Sequence, residues 1–283
     1  MLRIAVQSKG RLYDETMALL EEAGIRLNRG KRVLLLSAKG FPVETLFLRD
    51  DDIPQSVAHG VADVGIVGEN EYVEKGRKAR LVKRLGFSRC RLALAIPKDE
   101  AYPGKEWFEG KTIATSYPHI LTDYLARQGV KAELHVISGS VEIAPGIGLA
   151  DAICDLVSSG STLAGHQLKE VETVMPSEAL LIAHPRLTAD KQAILDELLF
   201  RFEAILAAEG KKYVLLNAPG NRLGEILDLL PGMKSPTVTP LANGEWVSVQ
   251  SVIAENRFWE IIGKLKALGA EGILILPIEK LIV

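Results

Sequence analysis

The 283-residue sequence is poor in cysteine. Cys90 and Cys154 stand far apart, each in an apolar stretch, which excludes a disulfide framework and predicts reduced, buried thiols. It has no excess of either charge: 34 Lys+Arg face 36 Asp+Glu, for a net charge of −2. A near-neutral chain carries no electrostatic footprint for nucleic acid or a membrane surface, so any anion must be held by local geometry. Long apolar runs are missing too. The longest, V-L-L-L-S-A, L-A-L-A-I-P and G-I-L-I-L-P-I, fall well short of the roughly 18 residues that span a bilayer. The opening M-L-R-I-A-V-Q-S-K-G-R has no basic region, apolar core or small-residue cleavage site, so no export signal is expected and a cytoplasmic location is. Neither G-x-x-x-x-G-K-[ST] nor G-x-G-x-x-G occurs, which excludes a Walker loop and a dinucleotide fingerprint. The five histidines are scattered. No His/Cys/Asp set has metal-ligand spacing, so no protein-held metal is expected.

What is present is an ordinary globular mixture, 47% apolar and 25% charged, on a chain long enough for about two domains at roughly 150 residues each. Strand and helix patterns alternate through the first two hundred residues. Strands are predicted at 2–7, 33–38, 43–49, 64–67, 81–87, 91–96, 111–115, 133–137, 153–157, 171–174 and 180–183. Helices are predicted at 12–23, 53–59, 118–128, 162–169 and 190–208. Such alternation argues for mainly parallel sheets covered on both faces. The theme restarts near residue 91, which predicts two lobes with a cleft between them: lobe I about 1–90 and 175–210, lobe II about 91–174. Gly210-Lys211-Lys212 marks a boundary. The remainder, 211–283, reads β-α-β-β-α-β, with helix 222–230 bounded by Pro219-Gly220 and Pro231-Gly232 and a hairpin turn at Asn243-Gly244.

The most informative stretch is Ser138–Leu163. Ile153–Val157 reads as a buried strand with an acid inside it, and Asp151 and Asp155, four apart, share a face in extended chain. Two carboxylates buried together are costly unless cations or hydroxyls meet them. Ser158, Ser159, Gly160, Ser161 and Thr162 follow, and then a helix. Small residues let backbone N–H groups converge and the hydroxyls add donors, which makes an anion cradle suited to a phosphate monoester. Two acids beside such a cradle suggest a sugar-phosphate site.

Glu142 through Leu163, E-I-A-P-G-I-G-L-A-D-A-I-C-D-L-V-S-S-G-S-T-L, resembles the signature of the ATP phosphoribosyltransferases, which catalyse the first step of histidine biosynthesis. Q-S-K-G-R-L at 7–12, R-D-D-D-I-P at 49–54, D-V-G-I-V-G-E-N at 63–70, R-L-A-L-A-I-P at 91–97, I-A-T-S-Y-P-H at 113–119 and L-P-I-E-K at 276–280 resemble further segments of that family. The C-terminal unit is similar to the regulatory, ACT-like domain of its long form. The resemblance implies an α/β fold: a two-lobed, periplasmic-binding-protein-like catalytic region followed by the regulatory βαββαβ domain. It also implies joining of ATP to 5-phosphoribosyl 1-pyrophosphate, with magnesium arriving on the substrate. L-histidine would be the feedback inhibitor, and dimers would assemble into hexamers.

On that reading Asp151, Asp155 and Glu142 serve the ribose and its developing positive charge, and Ser158–Thr162 hold the 5-phosphate. Which of the two aspartates matters more stays open. Lys9 and Arg11, in the loop after the first strand, suit triphosphate or pyrophosphate oxygens. Arg49, Asp52, Glu69 and Tyr117 complete the expected ATP contacts. Asp50 and Asp51 are read as structural, through the dipole of the helix they precede, and an aromatic before proline such as Tyr117 also suits packing. Asn217, Met233, Thr237 and Gly272 fall where the family contacts histidine. Asn217 replaces an acidic residue some relatives carry there, which leaves its pairing with the ligand open. The competing readings are a two-lobed small-molecule binding protein without catalysis and a stand-alone amino-acid sensor at 212–283.

Overall fold

The computed structural model describes residues 1–27, 34–76, 78–230, 232–242 and 244–283. Val33 of the strand expected over 33–38, Pro231 of the boundary dipeptide and Asn243 of the expected turn lie outside the described residues. The chain forms two compact units, Met1–Asp196 and Glu197–Val283.

The first unit begins with β1 (Leu2–Gln7), α1 (Arg11–Glu22), β2 (Leu35–Ser37), β3 (Val43–Leu48), α2 (Ile53–Ala58), β4 (Val64–Gly68), α3 (Glu69–Glu74) and β5 (Arg80–Arg84). The chain then crosses into a second sheet through β6 (Cys90–Pro97), β7 (Thr112–Thr115), α4 (Pro118–Gln128), β8 (Glu133–Val136), β9 (Ala152–Val157), α5 (Ser161–Gly165) and β10 (Leu168–Ser177). It returns to the first sheet through β11 (Ala179–Ala183) and leaves along α6 (Ala189–Ala208). The strand orders are β2-β3-β1-β4-β11-β5 and β10-β6-β9-β7-β8. Two lobes joined by two crossings are the fold class expected from the sequence.

The sheets are mixed, which corrects the expectation of mainly parallel ones. β1 pairs parallel with β3 and β4, and β7 pairs parallel with β8 and β9. Where the chain crosses between lobes the pairs are antiparallel: β11 with β4 and β5, and β6 with β9 and β10. A strand that enters a lobe from the crossing runs against the strands laid down by the lobe's own crossover helices. The helix expected over 162–169 stops at Gly165, because Gln167 takes φ 57° and turns the chain into β10. Leu163 and Leu168 thereby bury in one apolar cluster with Ala93, Ala95, Ile153 and Val157. The short helix α3 was not expected, since its six residues are too few to display a helical period.

Close packing positions the strand ends. A methyl group on Gly65 would stand 2.7 Å from Ile53 Cγ2 and 2.9 Å from Val57 Cγ2. Only a residue without Cβ lets α2 lie on β4, and overpacking there would cost about 1–3 kcal/mol. In lobe II, Leu92, Leu94 and Ile96 face α4 while Ala93 and Ala95 face Val141, Ala144 and Leu163, so both sides of β6 are buried.

The second unit contains the end of α6, then β12 (Lys211–Pro219), α7 (Leu223–Leu229), β13 (Thr237–Pro240), β14 (Trp246–Ala254), α8 (Glu255–Ala267) and β15 (Glu271–Pro277). Its antiparallel sheet runs β13-β14-β12-β15. Val214, Leu216, Ala218, Val249 and Ile253 pack against Ile226, Phe258, Ile261 and Leu265. The compact units part within α6, upstream of the boundary expected at Gly210. The end of the helix packs in the second unit, where the Leu281 N–H donates to the Ala204 carbonyl at 2.7 Å.

Candidate active site

β9 ends at Val157 and runs straight into Ser158-Ser159. The chain turns at Gly160, which has φ 81°, and makes the single turn α5. Ser159 Oγ lies 3.0 Å from Ser161 Oγ, and the hydroxyls are exposed. Two arginines grip the loop. Arg11, the first residue of α1 in lobe I, donates from Nη1 to Ser158 Oγ at 2.7 Å and from Nη2 to the Arg89 carbonyl at 2.8 Å. Arg91 Nη1 donates to the Ser158 carbonyl at 3.3 Å, while the rest of its guanidinium is held by Glu170. A loop of small hydroxyl residues, a left-handed glycine and two flanking guanidiniums offers donors of the kind an anion needs. With α5 so short, the anion would be met by individual N–H groups, hydroxyls and arginines rather than by a long helix dipole.

Asp155 lies on the sheet face of Ile153 and Val157, the face covered by Val141–Ala144. Its Oδ1 accepts the Leu156 N–H at 2.8 Å. Burial and the nearby negative charge of Glu142 outweigh that bond and push its carboxyl up to about 6. Asp155 and Glu142 are therefore brought together. Asp151 is not with them. It stands before the first residue of β9, about 13 Å along an extended chain from Asp155, and is tied to the start of β7: Oδ2 accepts the Thr112 N–H at 2.9 Å and Oδ1 lies 3.5 Å from Lys111 Nζ. It lines a separate 340 Å³ hollow with Pro97, Trp107 and Pro145. Asp151 and Asp155 thus share a strand face four residues apart, Asp151 just before β9 and Asp155 within it.

Lobe I presents α3 to the β7–α4 junction of lobe II. Asn70 Nδ2 donates to the Tyr117 hydroxyl at 3.1 Å, and the Ser177 hydroxyl donates to Asn70 Oδ1 at 2.9 Å. Beside them is Glu71, a buried carboxyl pushed up to about 7 by burial and by the charge of Asp50. Tyr117 is buried, and its hydroxyl is pushed well above the usual phenol range by burial and then by the charges of Glu71, Asp155 and Asp50. Tyr117, Asp155 and Asp50 therefore share one electrostatic neighbourhood, although they come from different lobes. Sequence reasoning gave no sign of the buried Glu71 or of Asn70's bridge to Tyr117, because a helix of six residues shows no periodic signal.

The remaining expected residues are more dispersed. Glu69 is taken up by Arg84, which also binds Glu178 at 2.9 Å, and this cluster lines a 690 Å³ hollow with Cys90, Met175 and Ser177 at the crossing between lobes. Arg49 is mostly exposed and lies 3.2 Å from Asp51. Asp52 is exposed just before α2 and makes no side-chain cap bond to it. Lys9 is exposed in the loop between β1 and α1. In the second unit a Cβ on Gly272 would lie 3.3 Å from Asn217 Nδ2, so those two are neighbours. Thr237 is on β13, opposite Gln250 of β14, and Met233 is exposed before that strand. Both cysteines are free, and Cys154 is buried. Among the described residues no group of three or more His, Cys, Asp or Glu stands close enough to hold a metal ion.

Comparison with known proteins gives two family matches in chain order: an ATP phosphoribosyltransferase model over residues 49–204 and a HisG C-terminal domain model over 208–280. An ATP phosphoribosyltransferase of Parabacteroides distasonis is 80% identical over 283 residues, spanning all of both chains. One of Phocaeicola vulgatus is 68% identical over 282 residues, again spanning both. Among solved structures, the ATP phosphoribosyl transferase (HisG:HisZ) complex of Thermotoga maritima matches with a TM-score of 0.61 and 28% identity, covering 72% of this chain and 99% of that one.

Proposed function

This chain belongs to the ATP phosphoribosyltransferase family, in the form that carries the C-terminal domain, and from that premise we propose how its lobes divide the work of joining ATP to 5-phosphoribosyl 1-pyrophosphate. In the reaction the lone pair of adenine N1 attacks ribose C1, and the C1–O bond to the diphosphate breaks with its electron pair. The products are 1-(5-phosphoribosyl)-ATP and pyrophosphate. The attacking nitrogen carries no proton, so the main demands are positioning, stabilisation of the cationic ribose and neutralisation of the departing diphosphate.

The observation that carries the residue assignment is the loop Ser158–Thr162 between two arginines, with Asp155 three residues upstream of it. The 5-phosphate takes the N–H groups and hydroxyls of this loop. Asp155, in its ionised form, meets the ribose hydroxyls and steadies the positive ring, as carboxylates do in glycoside chemistry. Glu142 supports the same end of β9. Arg11 serves the phosphate cradle, since its guanidinium already bonds Ser158, and Lys9 is free to reach diphosphate oxygens. Asp151 has no place at the sugar. Its role is to tie β9 to β7. Tyr117, with Asp50 near it, borders the nucleotide on the lobe I side, and Arg49 and Asp52 stand further out as phosphate and ribose contacts of ATP. Glu69 acts through Arg84 on the crossing between lobes.

Magnesium enters with the diphosphate as part of the substrate and offsets its charge as it leaves. Asp155 and Glu142 are the carboxylates in that neighbourhood. The second unit binds L-histidine as feedback inhibitor, with Asn217 and Gly272 at one point of contact and Met233 and Thr237 beyond it. The active species is a homo-oligomer, from dimer to hexamer, working in the cytoplasm. No helix among the described residues is long and apolar enough to cross a membrane.

A crystal grown with phosphoribosyl pyrophosphate and magnesium tests the assignment. The expected density has the 5-phosphate on Ser158–Thr162 and the ribose hydroxyls on Asp155. Sugar phosphate bound elsewhere, with this loop empty, overturns it.

A further inference from the structure

Tyr117 stands at the cap position before α4 and its side chain makes no cap bond; the first residue of the helix is Pro118, which has no N–H. The next two donors, His119 and Ile120, have no partner within the helix. Both are met from the other lobe. The His119 N–H donates to Glu74 Oε1 at 3.0 Å and the Ile120 N–H to Oε2 at 3.0 Å. The His119 ring nitrogen Nδ1 lies 2.8 Å from Oε1, so the same carboxylate takes a third contact. The fourth residue, Leu121, bonds back to the Tyr117 carbonyl at 3.1 Å. The account of orphan donors at this helix start is complete, and the cap comes from a residue more than forty positions upstream. Glu74 is only 6% exposed, so its charge is buried against these N–H groups rather than spent on water. One helical turn earlier on α3, Asn70 bonds the Tyr117 hydroxyl and the Ser177 hydroxyl. Thus α3 seizes Tyr117 from both sides: its hydroxyl through Asn70, its backbone through the helix that Glu74 caps.

We propose that Glu74 is a positioning residue for this transferase: as a helix cap supplied across the cleft, it joins lobe I to α4 of lobe II and holds Tyr117 in register for the nucleotide. The inference rests on the reading of Tyr117 as a nucleotide neighbour. A carboxylate has the two acceptors needed for two adjacent N–H groups. An amide offers one acceptor and turns an N–H donor toward the other, and a methyl group offers none.

The test compares Glu74→Ala and Glu74→Gln with the unchanged full-length enzyme. Amide hydrogen exchange is measured at His119 and Ile120, and KM for ATP and for phosphoribosyl pyrophosphate is measured separately from kcat. In Glu74→Ala, exchange at the two amides should rise about tenfold, the scale of a lost helix cap. KM for ATP should rise several-fold, with KM for the sugar phosphate nearly unchanged. Glu74→Gln should recover part of both effects. Unchanged exchange at His119 and Ile120 in Glu74→Ala overturns the cap. Increased exchange with unchanged KM for ATP, or equal losses on both substrates, overturns the positioning role. Tyr117→Ala, assayed alongside, separates this from the parent reading: if it leaves KM for ATP untouched, the nucleotide assignment of Tyr117 has failed, whereas a raised KM there with normal kinetics in Glu74→Ala is a failure of the cap alone.

Discussion

Burial and Glu142 raise the pKa of Asp155 from 3.8 to about 6. The folded protein therefore holds this proton more tightly than the unfolded chain does. The group contributes stability that is fully present below about pH 4 and is lost as pH rises through about 6. Asp155→Asn should then melt at or above the wild-type temperature at pH 7.5, with the difference closing toward pH 4, as scanning calorimetry across that range would record. The same titration acts on chemistry in the opposite direction. Only the carboxylate steadies a cationic ribose, so kcat/KM should decline as pH falls below about 6, and Asp155→Asn should lose on the order of 10²-fold or more in turnover. A variant that kept near-normal kcat/KM would remove Asp155 from the sugar site.

At the scale of an element, the turn between β9 and α5 depends on one backbone angle. Gly160 sits at φ 81°, and a Cβ there would meet nothing within 4 Å. Any effect of Gly160→Ala is therefore strain rather than collision, about 1–2 kcal/mol for an L-residue held left-handed. The loop relieves it by opening, which turns N–H groups away from the bound phosphate. The expected result is a several-fold to tenfold rise in KM for phosphoribosyl pyrophosphate, with KM for ATP and the melting temperature little changed. Steady-state kinetics with each substrate varied in turn checks this, and a rise confined to ATP would contradict the division of sites. The neighbouring elements teach a different lesson. The turn made by the serines and glycine of this loop was readable because each residue type has a local reason to be there. α3 was not readable, because six residues hold less than two turns and its partners, Tyr117, Ser177 and His119, come from distant parts of the chain.

On the scale of the whole molecule the chain forms two compact units, Met1–Asp196 and Glu197–Val283, and the proposed function gives histidine sensing to the second. The Thermotoga maritima chain, matched over 99% of its own length, corresponds to 72% of this one. Truncation after Gly210 keeps α6 whole and should leave phosphoribosyl transfer that no longer responds to L-histidine. Initial rates with and without histidine, on material shown to be folded by circular dichroism, decide it. Inhibition that persists in the folded truncation would move the sensor into residues 1–210.

Three features were legible in the chain alone: the two-lobed α/β class, the βαββαβ order of the C-terminal unit and the turn of small hydroxyl residues after β9. All three depend on local periodicity, turn chemistry and short contiguous motifs, which the chain carries without reference to its distant parts. Tertiary structure decided which acids meet. Asp151 and Asp155 share a face by the two-residue period of a strand, yet four residues separate them, and only the pairing of β9 with β7 shows that Asp151 is already engaged by Thr112 and Lys111. It also decided that Arg11 reaches Ser158, that Glu69 is spoken for by Arg84 and that Glu74 caps a helix in the other lobe. Each of these contacts spans the cleft, the crossing or two strands of a sheet, and the one-dimensional pattern contains no term for which distant backbone will be folded against which.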